Sequence, residues 1–328
     1  MSTPIDYERL DPSQFGGVLP KPCRFEDAAA VILPVPFDRT TSYVVGTRHG
    51  PRELLLASAQ VELWDEEVHA DVHTRGICTL PEMDLSSATL DEAIADLRRV
   101  AGEILDRGKF LLTIGGEHSI TSPIVAAVSE RHQGLSVLQI DAHADLRDSY
   151  QSQKHSHACA MRRTVDHAKL VQVGIRNISE EEIRALPSLP TTIFYDWNMR
   201  DDPDWIDNAV RSLSDTVYIT IDLDGLDPAA MPAVGTPEPG GLSWRELTLL
   251  LRRTFERKRV VACDVVELCP IPGLVAPNFI AARLVYKLLS YRFGFETVVG
   301  GGLQPAPACP RHSINSAPPT VDGHRRRR

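Results

Sequence analysis

The amino-acid sequence predicts an α/β fold with a mainly parallel central sheet covered by helices on both faces. Apolar runs of strand type alternate with amphipathic helical segments along most of the 328 residues, and this alternation is typical of parallel sheets. Hydrophobic residues make up 43% of the chain, which is enough for a sizeable core. Because no linker interrupts the alternation, one domain is a better interpretation than two.

The two ends of the chain differ from this alternating body. Residues 1–28 are irregular and contain several Pro and Gly residues, so we expect an N-terminal arm that lies on the body or on a neighbouring subunit. Residues 29–299 form the predicted folded domain. Residues 300–328 are dominated by Pro, Gly and Ser, and we expect them to be a disordered tail because their apolar content is too low for folding.

Strands and helices of the first half follow from hydrophobic periodicity and from helix-start signals. Pro51 suits a first helical turn, and Thr89 with Glu92 forms a capping box. We expect strands at 29–36, 76–85, 110–114 and 135–140, and helices at 51–63, 90–108 and 119–131.

The second half repeats the pattern. Ser179 with Glu182 precedes a short helix as a capping box, and Ser243 with Glu246 precedes a longer one. We expect strands at 169–175, 191–194, 216–221 and 260–266, and further helices at 205–213, 244–258 and 277–292.

Charge and composition exclude several classes of protein. A net charge of −9 argues against a dedicated binder of nucleic acid or of an anionic membrane. No apolar run approaches the length of a membrane span, and residues 1–20 do not resemble a secretory signal. The six cysteines are sparse and form no CxxC pair, which fits reduced thiols in the cytoplasm rather than a disulfide framework.

Residues of metal-ligand type follow three of the predicted strands. In the stretch Leu135–Asp145 they are two positions apart, and such residues point to the same side of an extended chain. Because parallel strands end at one edge of a sheet, the three groups can converge there. Single Asp/His clusters also occur in solvated loops, but recurrence at three strand ends favours a metal site. The candidates are His118, Asp141, His143, Asp145, Asp222 and Asp224.

Four carboxylates and two imidazoles are too many ligands for one divalent ion, but they suit two ions that share carboxylates. A mainly oxygen ligand set favours manganese, with nickel, cobalt or iron as alternatives. The lack of thiolates disfavours a structural zinc ion. Two ions about 3.5–4 Å apart can lower the pKa of a bound water enough for hydrolysis near neutral pH.

Hydrolysis also needs a substrate anchor and a proton carrier. Glu267 ends the strand at 260–266, and a buried carboxylate there could pair bidentately with a guanidinium group; the alternative role is an ordinary salt bridge. His157 in the polar connection 146–160 is a candidate proton shuttle, and the alternative is an exposed loop histidine. Cys159 beside it could suggest a nucleophile, but residues two apart need not face each other.

Six motifs together resemble the ureohydrolase family, which includes arginases and agmatinases, in their order and spacing over residues 28–295. They are GGEHS (115–119), DAHAD (141–145), SHACAMRR (156–163), DLDGLDP (222–228), VGTPEPGGL (234–242) and DVVEL (264–268). The resemblance implies the three-layer α/β/α arginase-like fold over a catalytic domain at 29–299. It also implies a centre with two Mn²⁺ ions per subunit and the release of urea from a small guanidino compound.

The same resemblance implies roles for individual residues. The first metal would be held by His118, Asp141, Asp145 and Asp222. The second would be held by Asp141, His143, Asp222 and Asp224, so that Asp141 and Asp222 bridge. Asp145, His157 and Glu267 are the expected catalytic residues, and Thr236, His157 and Glu267 would contact the substrate. Asp227 would support the site, and Glu117 departs from the Asp that many members carry before the ligand histidine.

The early loop TTSYVVGTRHGP and the run DLRDSY look like the agmatinase branch, which implies hydrolysis of agmatine to putrescine and urea. Arginases carry two Asp residues after a G-x-R stretch, whereas Asn177 and Ser179 are uncharged here. Guanidinobutyrate, guanidinopropionate, guanidine and arginine remain alternative substrates. A non-catalytic partner subunit is a further alternative, which the complete ligand set disfavours. By resemblance, we expect a homotrimer or a homohexamer.

Overall fold

An eight-stranded, entirely parallel sheet runs through the centre of the chain. The computed structural model describes residues 13–17, 23–86 and 88–295. The strands are β1 (Ala30–Val35), β2 (Trp64–Asp65), β3 (Ala70–Asp71), β4 (Ile77–Thr79), β5 (Phe110–Gly115), β6 (Ser136–Ile140), β7 (Lys169–Ile175), β8 (Thr191–Tyr195), β9 (Thr216–Asp222) and β10 (Arg259–Val266). The strand order in the sheet is β4-β1-β5-β10-β9-β6-β7-β8. Of the strands in the described residues, only β2 and β3 lie outside the sheet, as a small antiparallel pair.

Helices cover both faces of the sheet, as the sequence predicts. The helices are α1 (Gly50–Ser58), α2 (Leu90–Asp106), α3 (Thr121–Ser129), α4 (Ala160–Thr164), α5 (Glu180–Ala185), α6 (Asp196–Met199), α7 (Trp205–Ser212), α8 (Trp244–Arg257) and α9 (Ala276–Gly294). Apolar residues of α1, α7, α8 and α9 join one buried cluster, and those of α2, α3 and α4 join the other. Alternate residues of one strand enter different clusters, such as Ile32 and Leu33 of β1, because a strand turns successive side chains to opposite faces. The result is the three-layer α/β/α arrangement.

The structure shortens two predicted elements and adds others, among them α6 and the β2–β3 pair. The helix expected to reach Leu63 ends at Ser58, whose hydroxyl donates to Leu55 O (2.6 Å) and accepts from Gly16 N (2.9 Å). The strand expected over 76–85 is limited to β4; the Leu80 and Met83 amides still donate to carbonyls of β1, but the residues after Thr79 form no regular strand. The β2–β3 pair was not predicted. All three predicted capping boxes are confirmed, each with its reciprocal hydrogen bonds.

The described part of the predicted N-terminal arm lies on the body of the protein. Phe15 is buried and stacks on Tyr286, with ring centroids 6.4 Å apart. Its amide donates to Thr79 Oγ1 at 2.9 Å. The tail predicted for residues 300–328 lies outside the described residues. Among the described helices, none is both long enough and apolar enough to cross a membrane.

Candidate metal centre

The ends of four adjacent sheet strands bring the predicted site residues to one edge of the sheet, which we call the carboxyl edge. His118 follows β5, Asp141 follows β6, Asp222 ends β9 and Glu267 follows β10. Two neighbouring loops approach so closely that a side chain would not fit: a Cβ at Gly225 would lie 2.8 Å from Asp141 N. The glycine of the DLDGLDP motif therefore allows the two acidic loops to meet.

His118 lies at the centre of the first group of candidate ligands. Its Nδ1 atom is 3.1 Å from Asp141 Oδ2, 3.2 Å from Asp145 Oδ2 and 3.3 Å from Asp222 Oδ2. The ring is buried, yet Nδ1 forms no hydrogen bond of acceptable geometry with any described residue. A buried ring nitrogen that faces three carboxylate oxygens without a hydrogen bond fits a position for a cation.

A second group shares Asp141 and extends to the other imidazole. His143 Nδ1 is 3.0 Å from Asp224 Oδ2 and 3.6 Å from Asp141 Oδ1. The potential ligand atoms of Asp141, His143 and Asp224 all lie within 4.8 Å of one another, as do those of His118, Asp141 and Asp145. Two adjacent ligand groups with a common carboxylate therefore fit two metal ions.

The electrostatics of the group indicate an excess of negative charge. Burial raises the pKa of Asp141, but the imidazoles of His118 and His143 outweigh it and hold that pKa well below its usual range. Burial and the adjacent Asp141 charge raise the pKa of Asp145 to about 7. Burial and repulsion from Asp224 and Asp141 raise the pKa of Asp222 well above its ordinary value. Cations bound between these carboxylates would relieve the repulsion.

A buried hydrogen-bond chain fixes the orientation of His118. Thr220 Oγ1 donates to Asp264 Oδ1 at 2.6 Å and lies 2.9 Å from His118 Nε2. Asp264 also accepts from Tyr218 and Thr121, so the carboxylate is held in place. The Thr220 hydroxyl donates its proton to Asp264 and so accepts from His118 Nε2–H. Nδ1 is therefore the ring nitrogen that is directed at the three carboxylates and would bind a metal ion.

Glu267 lies beside the group with a strained backbone. Its φ of 67° is in the left-handed region, which non-glycine residues seldom occupy. Its Oε1 accepts the His118 N–H at 2.7 Å, and its own amide donates to Gly116 O at 2.7 Å. Burial and the nearby Glu117 charge raise its pKa well above the usual value. Strain of this kind is concentrated at functional sites.

His157 is held by the loop after β1. Its backbone amide donates to Thr40 Oγ1 at 2.9 Å, and Thr40 in turn donates to Glu117 Oε1 at 2.8 Å. Its Nε2 lies 3.4 Å from Ser42 Oγ. Burial lowers the pKa of His157 to about 4, so the ring is neutral near pH 7 and able to accept a proton.

A pocket of about 220 Å³ opens onto these side chains. It is lined by His118, His143, Asp145, His157, Asp222, Asp224, Thr236 and Glu267, and Thr236 Oγ1 is 3.4 Å from Asp224 Oδ2. Asp141 does not line the pocket itself, but its carboxylate lies next to the rings of His118 and His143, which do. Asp227 also lies outside the lining and accepts the Ala229 N–H at 2.8 Å within its own turn.

Sequence reasoning missed several residues of the pocket wall. Tyr43, Arg147, Tyr150 and Glu238 line it, next to Asn177, which the sequence singles out by comparison with arginases. The motif VGTPEPGGL, which contains Glu238, was a possible signal. The path of its loop, however, depends on contacts with residues distant in the sequence.

A buried carboxylate–imidazole group at the carboxyl edge of a parallel α/β sheet is the kind of site with which a metal-dependent hydrolase activates water. A sequence profile of the Arginase family matches residues 28–290. An N(1)-aminopropylagmatine ureohydrolase from Synechocystis sp. is 40% identical over 275 residues, which cover 81% of this chain and 90% of that protein. An agmatinase from Pyrococcus horikoshii is 34% identical and covers 80% and 92% of the two chains.

Solved structures agree with the sequence relatives. The agmatine ureohydrolase of Thermoplasma volcanium superimposes with a TM-score of 0.77 at 30% identity, covering 84% of this chain and 93% of that chain. The chain therefore belongs to the arginase family, whose members are hydrolases that act on guanidino compounds.

Proposed function

We propose that this protein hydrolyses agmatine to putrescine and urea at a centre with two manganese ions. The observation that carries the proposal is the pocket in which the strained, buried Glu267 faces the two ligand groups around Asp141. A carboxylate of this kind can bind a guanidinium group bidentately and hold its central carbon next to the metal site.

The proposed ligands are those that the family resemblance implies. His118, Asp141, Asp145 and Asp222 would hold one ion, and Asp141, His143, Asp222 and Asp224 the other. When bound, two such ions supply a nucleophilic water near neutral pH. The oxygen-rich ligand set supports manganese, with nickel or cobalt as alternatives.

Other side chains would bind the substrate and move protons. Glu267 Oε1 is engaged by the His118 amide, so the proposed guanidinium contact uses its remaining acceptor positions. Gly235 lies beside Glu267 Oε2, where a Cβ would be only 3.8 Å away. His157, neutral and at the pocket wall, would accept a proton and deliver it to the leaving amine. Thr236 would line the guanidinium end.

A second candidate substrate is N(1)-aminopropylagmatine. Three relatives bearing that name are 37–40% identical to this chain, against 34% for the agmatinase of Pyrococcus horikoshii. Both compounds carry a guanidinium at one end and a cationic amine further along the chain. The uncharged Asn177 and Ser179 support these substrates over arginine.

Urea release from a panel of guanidino compounds tests the proposal. The metal-loaded protein is expected to hydrolyse agmatine or its aminopropyl derivative with a higher kcat/KM than guanidinobutyrate, guanidinopropionate, guanidine or arginine. Glu267→Gln should lose most of this activity while it keeps its metal, because Glu267 is not a proposed ligand. Faster turnover of guanidinobutyrate than of both amines would refute the choice of substrate. The absence of bound metal together with inactivity towards the whole panel would favour a non-catalytic subunit.

From the same resemblance we also propose the extent of the catalytic domain, the subunit number and the cellular compartment. Residues 29–299 would be the catalytic domain of a homotrimer or homohexamer in the cytoplasm. The free state of Cys23, Cys78, Cys159, Cys263 and Cys269 supports a reducing compartment. Mass measurement of the native assembly would test the subunit number.

A further inference from the structure

Glu238 presents a second carboxylate to the same pocket. Its side chain is 31% exposed and lines the cavity with Glu267 and Asp224. Among the described residues, no Lys or Arg side chain forms an ion pair with it. We propose that Glu238 binds the distal ammonium group of the substrate and so selects guanidino compounds with a cationic tail. This inference rests on the proposed function, and it names the residue that sets the preference.

The loop that carries Glu238 is held in place by a neighbouring guanidinium. Arg176 Nη2 donates to the Glu238 carbonyl at 3.0 Å and to the Asp224 carbonyl at 2.6 Å. Its Nε donates to the Pro239 carbonyl at 3.1 Å. Because these contacts use backbone atoms, they position Glu238 and leave its side-chain charge unpaired. A fixed, unpaired carboxylate is pre-organised to bind a cation.

Asn177 orients the carboxylate without neutralising it. Its Nδ2 donates to Glu238 Oε1 at 2.6 Å. The Asn177 backbone is anchored on the loop after β6, since its amide donates to Ala142 O at 2.9 Å. An Asp at position 177 would place a second carboxylate against Glu238, whereas Asn donates a hydrogen bond and preserves one net negative charge. The uncharged residue at this position thus has a physical role in the pocket.

Glu238 reaches the pocket from a backbone position close to Glu267. Gly235 lies against Glu267 Oε2, and Glu238 follows three residues later. Three residues of extended chain span at most about 11 Å. The Glu238 backbone therefore lies within about 11 Å of the residue beside Glu267 Oε2, and both side chains line the same pocket.

The geometry disfavours two alternatives: that Glu238 orients the candidate ligand His143, and that Arg147 binds an anionic substrate tail. Glu238 Oε1 is 3.9 Å from His143 Nε2, which is too long for a hydrogen bond that would orient a metal ligand. Arg147 also lines the pocket and could attract an anionic tail. However, its guanidinium covers the Tyr150 ring and lies near Glu181, with Nη1 3.8 Å from Oε2, so an anionic tail would compete with these contacts.

Steady-state kinetics of Glu238→Gln test the proposal, with agmatine and its neutral-tail analogue butylguanidine as substrates. Gln keeps the shape and still accepts the Asn177 hydrogen bond. We expect kcat/KM for agmatine to fall about 10-fold or more, mainly through KM, because one charge contact is lost. The value for butylguanidine should change less than about threefold, and the metal content should stay unchanged.

Glu103→Gln is the matched control, because it removes the same charge from an exposed carboxylate of α2 that does not line the pocket. It should leave the ratio of agmatine to butylguanidine kcat/KM unaltered. An equal loss for both substrates in Glu238→Gln, or a loss of bound metal, would overturn the inference while urea release by the wild type still supported the proposed function. A wild-type preference for guanidinobutyrate that disappears in Arg147→Gln would overturn it as well.

Discussion

His118 shows how a single side chain can be prepared for a cation inside a protein. Its Nε2–H is used by Thr220, which is fixed by the buried Asp264. Its Nδ1 atom faces three carboxylate oxygens at 3.1–3.3 Å. The ring orientation is therefore set before any ion binds, which lowers the reorganisation that binding requires.

Substitution of Asp141, which belongs to both ligand groups, should remove more metal than substitution of Asp145, which belongs to one. Asp141 contacts both imidazoles, whereas Asp145 contacts only His118. Asp141→Ala should reduce the metal content from about two ions per chain to nearly none, and Asp145→Ala should leave about one. Elemental analysis after exhaustive dialysis measures both values.

Asp227→Asn is the control for these variants, because Asp227 belongs to the same acidic motif but bonds within its own turn. Its metal content should equal that of the wild type. Full metal content in Asp141→Ala would contradict the bridging assignment.

The candidate ligands could be predicted from the sequence because each follows an apolar strand at a fixed short spacing. The contact between Asn177 and Glu238 could not be, since it depends on Arg176, which binds backbone carbonyls of two loops. Nor does a sequence pattern reveal the left-handed backbone of Glu267. Local periodicity encodes where a strand ends, whereas the wall of the pocket is set by long-range contacts.

At the scale of elements, buried strands and capped helices follow closely from the sequence. All eight sheet strands were predicted, most of them as apolar runs, because a parallel sheet covered on both faces buries both sides of its inner strands. The β2–β3 pair was missed, since it is only two residues per strand and Trp64 is exposed. Such a short pair is stabilised by its contacts with α9 rather than by its own pattern.

Lys287 of α9 forms the main charged contact with this pair. Its Nζ lies 3.1 Å from Asp65, 2.9 Å from Glu66 and 3.1 Å from Glu67, and its side chain is 1% exposed. Lys287→Met would leave the fully buried Asp65 without its cation. The free energy of unfolding should fall by about 3 kcal/mol or more, as measured by urea denaturation of the metal-loaded protein.

Arg283→Met on the same helix is the matched control, because its partner Glu66 is largely exposed. It should cost less than about 1 kcal/mol. Adding Asp65→Asn to Lys287→Met should restore part of the lost stability. A cost for Lys287→Met no larger than that of the control would show that the buried contact is not needed to dock α9.

At the scale of the whole molecule, the fold separates a stable sheet from a carboxyl edge built of converging loops. The ligand groups come from the ends of β5, β6 and β9, and Glu267 comes from the end of β10. Each strand is fixed by neighbours on both sides, whereas the loops concentrate carboxylates that repel one another. The stability of the loops therefore depends on bound cations far more than the stability of the sheet does.

Removal of metal should accordingly loosen the carboxyl edge and leave the opposite edge unchanged. Chelation should lower Tm by about 5 °C or more, since ligand at 100 times its Kd contributes about 2.7 kcal/mol. Hydrogen exchange should rise at residues 116–119, 141–145 and 222–227, where the loops carry the candidate ligands, and should not change at 30–33 or 259–262. Asp141→Ala serves as the control, because a protein that holds little metal should show no further shift with chelator. Uniform exchange across both edges would mean that the ions stabilise the fold as a whole rather than the site they occupy.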